Sequence, residues 1–301
     1  MTTSMPAFPA AGAAESTAGQ RRVAQAVTAL FVPGDRPERY AKAATAGPGV
    51  VIIDLEDAVA PQAKAQALES VLSFLGSADE ENIQALVRVN PVGTQTHAEE
   101  TTALLELATQ DRSRLLGLVV PKAENPQDLH PLGHRLGQMG LALVPLVESA
   151  LGVVHALDIA QVPGVTRLAF GAVDYALDID ADVQGEERVL DYPRSVLVTT
   201  SRAAGVAAPL DSPAIEITDA EPVAEAARLA RAFGFGGKLC IHPRQVKIVE
   251  EAFRPAESDL QWARTVIGVG DGATQVNGQM IDRPVIERAR RLLARAAEEQ
   301  S

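Results

Sequence analysis

The chain has 301 residues, 47% of them hydrophobic, with 27 basic against 39 acidic side chains and a formal net charge of −12. That length permits one large domain or two, and the apolar share is ample for a sizeable core. The acidic balance argues against nucleic-acid or anionic-membrane partners, because phosphate contacts need a basic face. No apolar stretch is long enough to cross a bilayer. A single cysteine, Cys240, leaves no disulfide framework and fits a cytoplasmic protein.

Residues 1–22 are rich in Ala, Ser, Thr, Pro and Gly and lack the basic start and apolar stretch of a secretory leader, so a disordered tail is expected. From Ala26 onward short β-rich runs alternate with longer helical patterns. The runs are Ala26–Val32, Val50–Leu55, Ala85–Asn90, Leu116–Pro121, Ala142–Val147, Arg167–Ala172, Ala208–Ala214 and Lys238–Ile241. Most are continuously apolar, as parallel strands buried on both faces should be. The seventh, carrying Pro209 and Pro213, is the weakest. Helical segments fall between them, among them Pro61–Leu75, His97–Thr109, Leu151–Ile159, Arg194–Ala204 and Glu221–Phe233. Eight strand–helix units predict an α/β fold, a (β/α)8 TIM barrel over residues 23–256. Residues 257–301 predict a C-terminal helical arm or lid, with helices at Ser258–Val266 and Pro284–Ala297 joined by the Gly-rich stretch Gly268–Gly278.

In such a barrel, chemistry sits where the strands run out into the following loops. Here the run ends carry Asp54, Glu56 and Asp57, then Arg88 and Asn90, then Lys122, Glu148, Asp174 and finally His242. Carboxylates crowded on one rim repel one another unless a divalent cation neutralises them. Mg²⁺ suits the place, since it prefers oxygen ligands and is content with one or two protein carboxylates. Glu148 and Asp174 end neighbouring runs and are the expected metal ligands. A helix N-cap is the alternative for Asp174 alone. Arg88, inside an apolar run, needs an anion: either one of these carboxylates or a substrate carboxylate held bidentately. Glu56 and Asp57 are placed to order the metal's waters, and Lys122 either joins them or pairs with one of them.

As a set, several segments resemble the citrate lyase beta-subunit family of the HpcH/HpaI aldolase superfamily, which includes malyl-CoA and citramalyl-CoA lyases. They are Leu30–Pro37, Asp54–Val59, Val87–Pro91, Val147–Ala150, Phe170–Asp174 and Gly237–Pro243, in order along nearly the whole chain. The resemblance implies a magnesium-dependent barrel that makes or breaks a carbon–carbon bond beside a CoA or acyl-carrier thioester, with a small keto or hydroxy acid as the other partner. It implies a homo-oligomer, a trimer or hexamer. It gives metal binding to Glu148 and Asp174, the substrate carboxylate to Arg88, and the border of the small-acid pocket to Gly171, Ala172 and Val173. The segment Gly278–Asp282 is similar to the C-terminal part of CoA-acting members, which implies that Asp282 serves as acid or base in a neighbouring subunit's site; the alternative is an N-cap for the following helix.

The chain departs from the family pattern at Val27-Thr28, where Arg-Ser is usual, at Leu68, where Arg is common, and at Gln279, where Lys is common. These changes bear on substrate and CoA contacts rather than on the metal ligands. Three rival functions share the same barrel: a malyl-CoA thioesterase, a CoA-independent class II pyruvate-type aldolase, and a non-catalytic metal- and acid-binding subunit. The five histidines show no zinc spacing, and Gly270-Asp271-Gly272 follows no strand, so neither a zinc site nor a dinucleotide fingerprint is read.

Overall fold

The computed structural model describes residues 16–77, 83–182, 187–268, 274–276 and 279–298. Eight strands close into one parallel barrel in chain order: β1 (Thr28–Pro33), β2 (Val50–Asp54), β3 (Ala85–Arg88), β4 (Leu115–Val120), β5 (Ala142–Val147), β6 (Arg167–Phe170), β7 (Ala207–Asp211) and β8 (Gly237–Cys240). Every expected run therefore overlaps a strand. The runs overshoot at the C-terminal end of β3, β6 and β7, where polar or small residues leave the ladder for the loops. Pro209 sits inside β7, where the β6–β7 register shifts.

The first unit's helices are α1 (Ala18–Gln25), α2 (Tyr40–Thr45), α3 (Lys64–Gly76), α4 (Gln95–Ala108), α5 (Pro126–Gln138), α6 (Ala150–Val154), α7 (Ala156–Ala160), α8 (Ala172–Asp178), α9 (Asp191–Ala204), α10 (Ala220–Phe233) and α11 (Pro243–Phe253). Contacts divide the chain between Ala252 and Phe253, four residues before the expected boundary. Within the second unit, α12 (Glu257–Gly268) and α13 (Arg283–Glu298) pack around Ala263, Val266, Ile281, Ile286 and Ala289. Two short antiparallel strands, β9 (Thr274–Val276) and β10 (Gln279–Ile281), replace part of the expected Gly-rich connection; residues 269–273, 277 and 278 lie outside the described residues. Among the described residues, no helix is long and apolar enough to cross a membrane.

The expected tail needs one correction. Residues 1–15 lie outside the described residues, but 18–22 belong to α1. Thr17 and Gln20 form a capping box there, with Gln20 N–H donating to Thr17 Oγ1 and Thr17 N–H to Gln20 Oε1. The Thr17 hydroxyl also donates to Gly140 O at 2.7 Å, which pins the helix beneath β5. The Thr-x-x-Gln spacing was the sequence cue for this helix, hidden inside a low-complexity stretch.

Arg167, fully buried at the first residue of β6, closes the barrel at the same end. Its Nη1 donates to Val23 O (3.0 Å) and Ala26 O (2.7 Å), and its Nε and Nη2 both reach Ala208 O. Burial pushes the guanidinium down to about 9. Each buried acceptor stranded by loss of its donor costs about 1–3 kcal/mol. Arg167→Met strips three carbonyls of this donor, so urea unfolding is expected to show a loss of about 3 kcal/mol; a variant as stable as the parent would mean that the Arg167 bonds do not hold α1.

Candidate metal and substrate site

Alternate residues along a barrel strand point inward. Ala142, Val144 and Leu146 of β5 belong to the inner core, and the next position in that row is Glu148. Val50 and Ile52 of β2 continue to Asp54, and Leu86 of β3 to Arg88. The strand sequences thus carry a polar layer on top of an apolar plug. Asp54 and Arg88 are register partners across β2 and β3.

Asp54 is buried and fully engaged: its carboxylate accepts from the backbone N–H of Glu56 (2.9 Å) and Ala58 (3.0 Å), and from Arg88 Nε (2.7 Å) and Nη2 (2.6 Å). The remaining nitrogen of Arg88, Nη1, lies 2.9 Å from Glu56 Oε2 and 3.6 Å from Asp57 Oδ2. Burial pulls the guanidinium down, but the hydrogen bonds and charge of Asp54 outweigh it and the net shift is upward. The guanidinium also stacks over the Phe31 ring. Of the two readings of Arg88, the structure shows the carboxylate partner; the bidentate edge belongs to Asp54, and only Nη1 is turned toward the mouth. Asp54, named in the sequence only as another rim acid, was given no role of its own there.

Glu56 is buried and also receives Lys122 Nζ at 2.9 Å, which is the pairing alternative raised for that lysine. Burial raises the Glu56 carboxyl; Arg88 and Lys122 oppose it. Asp57, by contrast, is largely exposed.

Lys122 joins this cluster to Glu148 through its backbone. It holds φ +49°, unusual for a residue with a side chain, and its N–H donates to Glu148 Oε1 at 2.8 Å. Glu148 follows β5 directly and is 4% exposed. Burial, then the charges of Asp174 and Glu56, push its carboxyl up to about 8, with the Lys122 N–H pulling the other way. Asp174 stands in the first turn of α8, four residues beyond the end of β6, so it is not the strand-end residue expected. Nor is it the N-cap, which is Gly171. An added Cβ on Gly171 would lie 2.5 Å from Glu148 Oε2, so the absence of a side chain there makes room for the carboxylate.

A buried carboxylate beside a second one is destabilised by both desolvation and repulsion, and a divalent cation relieves both. Among the described residues no group of three or more His, Cys, Asp or Glu forms a metal cage. Two carboxylates fit Mg²⁺, which keeps several waters, and do not fit a fully protein-ligated structural site. Of the three residues expected to border a small-acid pocket, Gly171 and Ala172 have their amides committed, to Val147 O and to Ser212 Oγ. Val173 is exposed.

In the second unit, Asp282 Oδ1 accepts from Val285 N–H at 3.3 Å and Asp282 O from Ile286 N–H at 3.0 Å. The helix-capping alternative is therefore realised for this residue. Gly278, the first residue of its motif, lies outside the described residues. His130 and His134 are exposed on α5, which runs through Pro131. Sequence reasoning also missed Gln245, whose buried carboxamide ties two mouth loops together: Oε1 accepts from Ile241 and His242 N–H, and Nε2 donates to Ala214 O and Glu216 O.

Comparison with known proteins places this arrangement among relatives. A family model described as HpcH/HpaI aldolase/citrate lyase matches residues 27–243. A citrate lyase subunit beta-like protein of Deinococcus radiodurans is 35% identical over 282 residues, which is 89% of this chain and 96% of that protein. The mitochondrial citramalyl-CoA lyase of Homo sapiens is 29% identical, with 86% of this chain and 82% of that protein covered. The crystal structure of CitE from Mycobacterium tuberculosis in complex with magnesium, acetoacetate and coenzyme A superposes with a TM-score of 0.79 at 34% identity, covering 92% of this chain and 99% of that one.

Gly171→Ala tests the fit around Glu148. The new methyl group displaces the carboxylate, and the dissociation constant for Mg²⁺, followed by calorimetry, is expected to rise by about tenfold or more, as when ligand-orienting groups are lost. Unchanged Mg²⁺ binding would mean that Glu148 is not a ligand.

Proposed function

The chain belongs to the HpcH/HpaI aldolase/citrate lyase family, and from that premise we propose that it is a magnesium-dependent carbon–carbon lyase acting on a hydroxyacyl-CoA thioester of the malyl-CoA, citramalyl-CoA or citryl type. The observation that carries the reading is the Glu148 carboxylate, seated against Gly171 and pushed up by burial and by the neighbouring charge of Asp174. The CitE neighbour bound to magnesium, acetoacetate and coenzyme A supports it.

Glu148 and Asp174 would hold the Mg²⁺. When bound, the ion supplies Lewis-acid polarisation of a hydroxy or keto acid and balances its charge. Arg88, locked by Asp54, turns Nη1 to the developing oxyanion and to the acid's carboxylate. Glu56 and Asp57 accept hydrogen bonds from water at the site, and Lys122 keeps Glu56 in place. In cleavage the hydroxyl gives its proton to water at the site as its oxygen becomes the keto acid's carbonyl, the carbon–carbon bond breaks, its electron pair forms the thioester enolate, and protonated Asp282 of a neighbouring subunit returns a proton to the enolate carbon. Synthesis runs the same steps backwards, with Asp282 taking the α-proton. Val173 and the backbone of Gly171 and Ala172 border the acid. The exposed apolar side chains Leu151 and Val154 of α6, Val173 and Leu177 of α8, and Ile215 after β7 support assembly into a trimer or hexamer.

The deciding experiment is a mass-spectrometric screen of malyl-, citramalyl- and citryl-thioesters with and without Mg²⁺. Cleavage into an acyl thioester and a keto acid, dependent on Mg²⁺, is expected. Free CoA with the carbon skeleton intact would make the protein a thioesterase instead. Asp174→Asn is expected to lower Mg²⁺-dependent turnover by more than about a hundredfold, with an unchanged circular dichroism spectrum; wild-type turnover in that variant would remove the metal assignment. Asp282→Asn should leave Mg²⁺ binding intact and cripple turnover, and a normal rate would restrict Asp282 to capping α13.

The pH dependence of metal binding follows from Glu148. Below about 8 the metal-free carboxyl holds a proton that the cation must displace. Mg²⁺ affinity is therefore expected to climb as pH rises toward that value and to level off above it. A flat profile from pH 6 to 8.5 would contradict a role for this carboxylate.

A further inference from the structure

Beneath the Asp54–Asp57 loop lies a second layer of polar side chains. Lys64, on the first turn of α3, donates its ammonium to Leu55 O (2.8 Å) and to Glu56 O (2.9 Å). Asn90, just beyond β3, donates Nδ2 to the same Leu55 O at 2.9 Å. Glu100, buried on α4, grips Asn90 twice: Oε2 accepts the backbone N–H at 2.7 Å and Oε1 accepts Nδ2 at 2.6 Å. His97 Nδ1 meets Asn90 O at 2.8 Å. The Leu55 N–H closes the loop onto Arg88 O.

The arrangement has one mechanical result. Two successive carbonyls, those of Leu55 and Glu56, are tied down by Lys64 of α3, the first also by Asn90, which Glu100 of α4 holds in place, and the Glu56 side chain leaves that clamped backbone toward Arg88 Nη1 and Lys122 Nζ. A buried carboxylate survives only with partners. Burial pushes Glu100 up to about 7, against the Asn90 hydrogen bonds and the Lys64 charge, so those partners keep its ionised form within reach at neutral pH. An isolated helix-packing role would be met more cheaply by an apolar residue.

We propose that Lys64 and Glu100 are positioning residues: by clamping the Leu55–Glu56 backbone they set the aim of Glu56, and through it the edge of Arg88 that faces the reacting acid. The inference rests on the lyase reading of the mouth and extends the site to two residues on helices that lie behind it.

Glu100→Gln keeps the shape but turns an amide donor against an Asn90 donor. Lys64→Met, at a half-buried position, takes the ammonium from both carbonyls, leaving Leu55 O to Asn90 Nδ2, and serves if the first variant does not fold. In the full-length protein, hydrogen exchange of the peptide covering residues 54–60 is expected to quicken by about tenfold in either variant, with the rest of the barrel unchanged. With the thioester that the wild-type enzyme cleaves, kcat is expected to fall by about tenfold or more, as for small misplacement of a reacting edge. KM and Mg²⁺ affinity should stay within about threefold, since neither ligand is touched. Lys64→Arg, which keeps the charge and donors, should restore most of kcat. Parental exchange at 54–60 in both variants overturns the proposal, and so does quickened exchange with unchanged kcat. Exchange is read without turnover, so it decides the clamp even if the wild-type protein cleaves no thioester, an outcome that would sink only the lyase reading.

Discussion

The mouth of this barrel depends on the bidentate pair between Asp54 and Arg88, the last residues of two adjacent strands. A largely buried guanidinium and a buried carboxylate each cost several kcal/mol when alone, and joined by two parallel hydrogen bonds they become tolerable. The pair also spends four acceptor positions of Asp54, two of them on backbone N–H groups of the following loop. The loop is therefore folded around the ion pair, and Glu56 is delivered to the free nitrogen of Arg88 as a consequence.

From there the network passes through Lys122, whose side chain belongs to the Glu56 cluster and whose backbone belongs to Glu148. One residue in the left-handed region thus links the cation-rich side of the mouth to its carboxylate side. Glu148 sits where three features agree: the place just beyond β5 that continues its inward row, an N–H donor on one oxygen, and a glycine against the other. The burial and like-charge repulsion at Glu148 are what a divalent cation would relieve.

The two ends of the barrel use opposite strategies for buried charge. At the bottom, Arg167 has only carbonyl oxygens as partners, and these tie α1 to the strands. At the top, charges meet charges and remain partly open to small molecules. In barrels of this kind the first face generally serves stability and the second carries the chemistry.

The sequence by itself determined the eight strands, because short continuous apolar runs alternating with helical patterns leave few other options, and it marked Glu148 and Arg88 as rim residues through their place toward the ends of those runs. It also carried the segments that identify the family. Only the tertiary structure decided partners. Nothing in the order of residues separates Asp54 from Glu56 or Asp57 as the mate of Arg88, since that choice depends on strand register and on which carboxylate can also accept backbone N–H groups. Asp174 proved to lie within a helix turn rather than at a strand end, and α1 emerged from what reads as tail, because a capping box means little until there is a barrel floor to receive it. Periodicity is local and survives in one dimension; the pairing of charges 34 residues apart, as in Asp54 and Arg88, exists only once the barrel closes.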